Sequence, residues 1–158
     1  MLSIRAATVE DVPLLGKLIR ELAAYENELD QVLITEAELA RDGFGPQPKF
    51  RVLLAYWDQE LAGYALFFDF YSTWRGPQMF LEDLFVREAF RGRKVGKGLL
   101  AAVASIAARE GCHALRWEVL DWNQPAIKFY ESLGVEFLDD WRLTLLKDEK
   151  LQLLAELA

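Results

Sequence analysis

Three places in the chain combine residue types and spacing that suit chemistry. The stretch "FRGRKVGKGLL", residues 90–100, holds three glycines and the cations Arg91, Arg93, Lys94 and Lys97, then turns apolar. A glycine loop that opens a helix presents unpaired N–H groups and the positive end of the helix dipole, and glycine lets a phosphate come close to that backbone. Its natural guest is a diphosphate. Just upstream, "MFLEDLFV" sets Glu82 and Asp83 inside an otherwise apolar run, where a carboxylate is costly unless it is paired or functional. Neighbours on a regular strand face opposite sides, so the spacing predicts that only one of them meets a given ligand directly. Downstream, Tyr130 shares an apolar helical face with Ala126, Phe129 and Leu133, which on its own reads as a core tyrosine.

Two better-known phosphate loops do not fit. A Walker loop needs four residues between its first glycine and Gly-Lys-Ser/Thr, whereas Gly92 and Gly96 enclose three and Lys97 is followed by Gly98; the dinucleotide fingerprint G-x-G-x-x-G is also absent. Cys112 and His113 are the only residues of their kinds, which excludes disulfide frameworks, thiolate zinc sites and multi-histidine centres. No metal is expected.

The surrounding elements must position these residues. "LSIRAAT" reads as a strand, and Thr8 with Asp11 as a capping box ahead of a helix whose face carries Val12, Leu15, Ile19 and Leu22 to near Tyr25. "ITEAELARDGFG" suggests a short helix stopped by Gly43 and Gly45. "KFRVLLAYW", "LAGYALFFDFY" and "MFLEDLFV", separated by "DQE" and by the Gly76-Pro77 break, predict an antiparallel meander. After the loop, Leu99, Leu100, Val103, Ile106 and Ala107 make a helical stripe that ends at Gly111, and "ALRWEVL" alternates as a strand. "NQPAIKFYESLG" is a helix with Asn123 as cap, Pro125 in its first turn and Gly134 past its end. "WRLTLL" predicts a closing strand, and the tail "DEKLQLLAELA" a helix.

Length and charge bound the rest. The chain of 158 residues, 53% hydrophobic, has no repeat or linker, so one domain over 1–158 is expected. No apolar run reaches eighteen residues, and "MLSIRAATVEDV" does not resemble a signal peptide, so a soluble, cytoplasmic protein without membrane contact is expected. The formal net charge of −7 argues against a nucleic-acid partner and fits a cationic or neutral one. Against that acidic background, the four cations of the loop mark where an anion docks.

"LEDLFVREAFRGRKVGKGLL", with "VLDWNQPAIKFYESLG" downstream, resembles the acetyl-CoA site of the GNAT superfamily of N-acetyltransferases. "IRELAAYE", "LITEAELARDGFG", "YSTWRG" and "DDWRL" extend the resemblance to the diamine acetyltransferases, and "STW" and "VLDWNQ" lean toward their thialysine branch. The superfamily loop reads [Q/R]-x-x-G-x-[G/A]; counted without a gap it begins at Arg91, which puts Lys94 at a glycine position. That is tolerable if Lys94 adopts the required dihedrals, because a phosphate is served by backbone N–H groups. A register shifted to start at Arg93 would match Gly96 and Gly98 but needs a two-residue insertion.

The resemblance implies a single-domain α/β (α+β) fold, a mixed and mostly antiparallel twisted sheet flanked by helices. It implies transfer of the acetyl group of acetyl-CoA to a primary amine of a small aliphatic amine, either a diamine or polyamine or a thialysine-like amino acid, with a homodimer as the assembly. Tyr130 is then the general acid and Glu82 the general base, directly or through water, with Asp83 left open as an alternative. For the cofactor it implies the backbone of Leu84, Phe85 and Val86 for the acetyl and pantetheine part. Arg91, Gly92, Arg93, Lys94, Val95, Gly96 and Lys97 serve the pyrophosphate, with Asn123, Pro125, Ala126 and Tyr130 beside it. The amine pocket maps onto Tyr25, Glu26, Glu82, Asp83, Asp139, Asp140 and Trp141. An acidic residue of the polyamine branch corresponds to Ser72, which favours a shorter or zwitterionic amine. With no nucleophilic triad in view, direct attack in a ternary complex is expected over an acetyl-enzyme. Acetylation of peptides or proteins, and a non-catalytic CoA-binding module, are the alternatives.

Overall fold

In the computed structural model, which describes residues 1–158, the first strand β1 (Leu2–Ala6) runs into a capped helix, α1 (Val12–Tyr25). The Thr8 N–H donates to Asp11 Oδ2 at 2.8 Å, and the Arg5 guanidinium donates to both Asp11 oxygens at 2.7 and 2.8 Å. The start of α1 is thus tied to β1. The next helix, α2 (Glu36–Phe44), opens on a second capping box in which Thr35 N–H donates to Glu38 Oε2 and Glu38 N–H donates back to Thr35 Oγ1. Gly45 follows its end, but Gly43, expected to help stop it, lies buried inside the helix, where a Cβ would sit 2.4 Å from the Phe50 ring. Close packing, not termination, requires that glycine.

The three aromatic and β-branched runs form β2 (Arg51–Trp57), β3 (Glu60–Ser72) and β4 (Gly76–Val86). Asp58 and Gln59, with φ of 47° and 70°, make the tight turn between β2 and β3, and Gly76-Pro77 opens β4 itself. A helix, α3 (Val95–Arg109), then leads to β5 (Leu115–Arg116). The sheet order is β1-β2-β3-β4-β5, antiparallel throughout except for the parallel β4–β5 pair. This is the mixed, mostly antiparallel sheet flanked by helices that was expected.

The core has two layers. On one face Val12, Leu15, Leu18 and Leu39 of α1 and α2 pack with Val52, Leu54, Tyr64, Leu66 and Phe85 of the sheet. Helix α3, with Val95, Leu99, Leu100, Val103 and Ala107 buried, contacts β1 to β4. Gly98 lets it close on β1, since a Cβ there would lie 2.7 Å from Leu2 Cδ2.

By internal contacts the chain divides into Met1–Glu118, just described, and Val119–Ala158. The second unit holds α4 (Gln124–Glu131) and α5 (Asp148–Ala155), the latter being the expected helical tail. Two expected strands differ. "ALRWEVL" forms a strand only at Leu115 and Arg116, because β4 offers it a parallel ladder only at Met79 and Phe80. "WRLTLL", residues 141–146, is no strand: it joins no ladder, and Leu143 and Leu145 are 79% and 78% exposed. An alternating pattern becomes a strand only where a neighbour supplies the hydrogen bonds. No helix is long and apolar enough to cross a membrane.

Candidate active site

The carboxylate pair sits on a β-bulge. Leu66 of β3 pairs with Asp83 and Phe67 pairs with Leu81, so Glu82 is an extra residue with no partner opposite. Phe80 stacks on Phe68, with ring centroids 5.3 Å apart, on the side of β3 that also carries Tyr64 and Leu66. Asp83 reaches that same side, three residues along rather than two or four, and accepts a hydrogen bond from the Tyr64 hydroxyl at 2.7 Å. Strict alternation across Glu82 and Asp83, expected for a regular strand, is therefore broken. The bulge also marks where β4 leaves β5: from Leu81 to Val86 only the β3 edge of β4 is paired. An extended ligand has a strand edge to follow there.

Charge gathers at this point. Burial pushes the Asp83 carboxyl up to about 6, the Tyr64 hydrogen bond pulling it the other way and the Glu26 charge adding to the rise. Glu82 is exposed, yet partial desolvation, then the charges of Asp83 and Glu118, raise its carboxyl above the usual range. Glu26, just past the end of α1, is raised by burial and then by Glu28. Glu26, Glu82 and Asp83, three of the expected amine-pocket residues, are thus brought together, and Tyr64 and Glu118 join them without having been singled out in the sequence. A fourth, Tyr25, stands at the end of α1 with the Arg91 guanidinium 4.6 Å from its ring centroid.

Two arginines hold this corner. Arg87 donates from Nε and Nη2 to both Glu21 oxygens, at 2.7 and 2.8 Å, and from Nη1 to the Leu61 carbonyl, binding the end of β4 to α1. Arg91 Nε donates to the Val86 carbonyl at 3.1 Å. Of the expected pantetheine-binding backbone, Val86 therefore has one carbonyl bond with an arginine, while the Phe85 ring is buried edge-on against Tyr64. Leu84 is half-buried on the same stretch.

The glycine loop runs from Arg91 into α3, whose cap is Lys94 at φ 63°, ψ 15°. Lys94 thus takes the left-handed conformation usual for glycine, which the ungapped register requires of it. Gly92 is also left-handed, at φ 75°. Gly98 N–H bonds back to the Lys94 carbonyl at 2.9 Å, so the N–H groups of Val95, Gly96 and Lys97 lie in the first turn, where a helix has no partners of its own. Gly96 lies beside the end of β4, a Cβ there meeting Val86 Cγ2 at 3.5 Å. Arg93 stacks over Trp57 and Phe90, 5.4 and 5.8 Å from their centroids, while Lys94 and Lys97 are exposed. The first-turn N–H groups of α3 thus start where the stretch of β4 paired only with β3 ends.

The remaining expected residues belong to the second unit. Asn123 Oδ1 accepts from the Ala126 N–H at 3.4 Å and caps α4, with Pro125 in its first turn. Tyr130, on the same helix, is buried, its ring 5.2 Å from Phe129. Asp139 and Asp140 are exposed in a turn closed by Trp141 N–H donating to the Leu138 carbonyl at 3.1 Å. Ser72 ends β3 and accepts at Oγ from the N–H groups of Trp74 and Arg75.

The chain is similar to known proteins. The Acetyltransferase (GNAT) family pattern matches residues 17–135. Thialysine N-epsilon-acetyltransferase of Bos taurus is 39% identical over 145 residues, covering 87% of this chain and 85% of that protein. Spermidine/spermine N(1)-acetyltransferase-like protein 1 of Homo sapiens is 35% identical over 94% of this chain, which spans 23% of that longer protein. The solved structure of an integron cassette protein from the mobile metagenome of V. cholerae shares the fold at a TM-score of 0.80, with 24% identity and 98% of each chain covered. With the bulged carboxylate strand, the glycine loop and this match over most of its length, the chain belongs to the GNAT acetyltransferase family and is an enzyme of acetyl transfer.

Proposed function

We propose that the enzyme moves the acetyl group of acetyl-CoA to a primary amine of a small aliphatic substrate, a diamine, a polyamine or a thialysine-like amino acid, by direct attack in a ternary complex. The observation that carries this reading is the cluster of Glu26, Glu82 and Asp83 at the point where β4 opens its edge ahead of the glycine loop. Such carboxylates suit an ammonium group and the loop suits a diphosphate. A ligand that satisfies both carries an anion at one end and meets a cation at the other.

The chemistry asks for a base and an acid. An alkyl ammonium of pKa ~10.4 is neutral in about one molecule in a few thousand at pH 7, a deficit of roughly 4.6 kcal/mol. Glu82 takes that proton, directly or through a water, and its raised pKa makes it a better base than an ordinary carboxylate. The amine nitrogen bonds to the thioester carbon, the C–S bond breaks, the departing sulfur takes a proton from the Tyr130 phenol, and the second proton that nitrogen loses as the amide forms restores the phenol through solvent. Leu84 to Val86 serve the pantetheine and residues 91–97 the pyrophosphate, with Asn123, Pro125 and Ala126 lining the cofactor. By the family resemblance, Tyr25 in the first unit and Asp139, Asp140 and Trp141 in the second are assigned to amine binding, and Ser72 favours a shorter or zwitterionic amine. The working form is a cytoplasmic homodimer.

A panel of thialysine, ornithine, lysine, putrescine, spermidine and short peptides, assayed for free CoA, tests the reading. Release with small amines is expected, and Tyr130→Phe should lower turnover by roughly 10²- to 10⁴-fold. Release with peptides alone would replace the substrate, and release with none would leave no acetyl transfer to amines.

A further inference from the structure

We propose that Tyr64 is a positioning residue for amine acetylation: its buried hydroxyl holds Asp83 by Oδ2, fixing the bulged carboxylate pair and leaving Oδ1 for the ammonium of the acceptor. The proposal rests on the amine-acetyltransferase reading and deepens it.

The geometry is specific. Tyr64 is fully buried, pinned edge-on against Phe85 at 6.4 Å and packed among Leu15, Leu18 and Leu54 of the core beneath α1. A tyrosine in that position must find a partner for its hydroxyl, and it finds Asp83 at 2.7 Å, diagonally across the β3–β4 ladder. Only the extra residue at Glu82 brings Asp83 to that side of the sheet. Without the hydroxyl, the bulge would still put a carboxylate there, but nothing would set its rotamer.

The hydroxyl acts as a fixed donor and exchanges no proton. Burial, and after it the charges of Asp83, Glu26 and Glu82, hold the phenol well above its ordinary value. It therefore donates throughout the working pH range. Its effect on Asp83 is opposite in sign: a donor to a carboxylate favours the ionised form, which offsets part of the rise caused by burial and by Glu26. The titratable groups that act on this pair are Glu26 beyond α1, on both members, and Glu82 on β4, on Tyr64, while Glu118 beyond β5 acts on Glu82; Arg91 is turned onto the Tyr25 ring. Among the groups that perturb Asp83, the Tyr64 hydroxyl alone favours its charged form. An ionised Asp83 is what attracts an ammonium.

Tyr64→Phe keeps the ring and removes the donor. For a cationic amine, the acid limb of kcat/KM should move up by about one pH unit, so that activity falls roughly fivefold at pH 6 and by no more than about twofold at pH 8.5. A loss uniform across pH, or an unmoved limb, would overturn the proposal. The second measurement is an NMR titration of carboxyl-labelled aspartate in the wild type and in Tyr64→Phe, without substrate. The Asp83 signal should titrate at higher pH in the variant, and an unchanged midpoint overturns the proposal even if no amine in the panel is acetylated.

Discussion

Asp83 costs stability at the point where the proposal gives it a role in amine binding. Its carboxyl titrates at about 6 in the fold against an ordinary value of ~3.9, so the folded chain binds that proton more tightly than the unfolded one. Stability is lost as pH rises from about 4 through about 6 and does not return above it, to a limit of about 3 kcal/mol. Asp83→Asn keeps an acceptor for the Tyr64 hydroxyl and removes the charge. Urea unfolding should show the variant about 1–2 kcal/mol more stable than wild type at pH 8 and equal to it at pH 4, with acetylation of cationic amines reduced. A gain independent of pH would mean that packing, not ionisation, separates the two proteins.

At the level of elements, Lys94 is where a helix cap and the proposed phosphate loop make opposite demands. A lysine at φ 63° costs about 1 kcal/mol against glycine, partly offset because glycine loosens the unfolded chain. Lys94→Gly should therefore stabilise the protein by a few tenths to about 1 kcal/mol while raising the KM for acetyl-CoA several-fold, through loss of an ammonium at the phosphates. Thermal unfolding and donor-saturation kinetics on the same variant check both signs, and a parallel fall in stability and donor affinity would contradict the assignment. The helices that start at residues 12 and 124 were legible with their caps because Thr8 with Asp11, and Asn123, act on residues three apart; the box of Thr35 with Glu38 has the same spacing and was not singled out. The bulge at Glu82 was not legible, because it exists only in the register between two strands, and Tyr64 became visible as a partner of Asp83 only with that register. The strand expected at residues 141–146 failed for the same reason, since its pattern says nothing about a neighbour.

For the whole molecule, charge is the property that a substrate meets first. Lysine and arginine number 18 against 25 aspartates and glutamates, yet Lys94 and Lys97 stand exposed at the start of α3. On the proposed reading an anionic donor and a cationic acceptor are drawn by different regions, and their encounter rates should respond differently to salt. The acceptor is attracted by an acidic whole, a long-range effect that weakens as the screening length falls from about 30 Å at 0.01 M to about 8 Å at 0.15 M ionic strength. The donor relies on contacts made within hydrogen-bond distance, where screening is weaker. Raising NaCl from 0.02 to 0.3 M at fixed pH should lower kcat/KM several-fold for a dicationic amine and less for a monocationic one, with kcat nearly constant. Stopped-flow or steady-state kinetics against both amines makes the comparison, and equal salt slopes for the two would remove long-range attraction from the account.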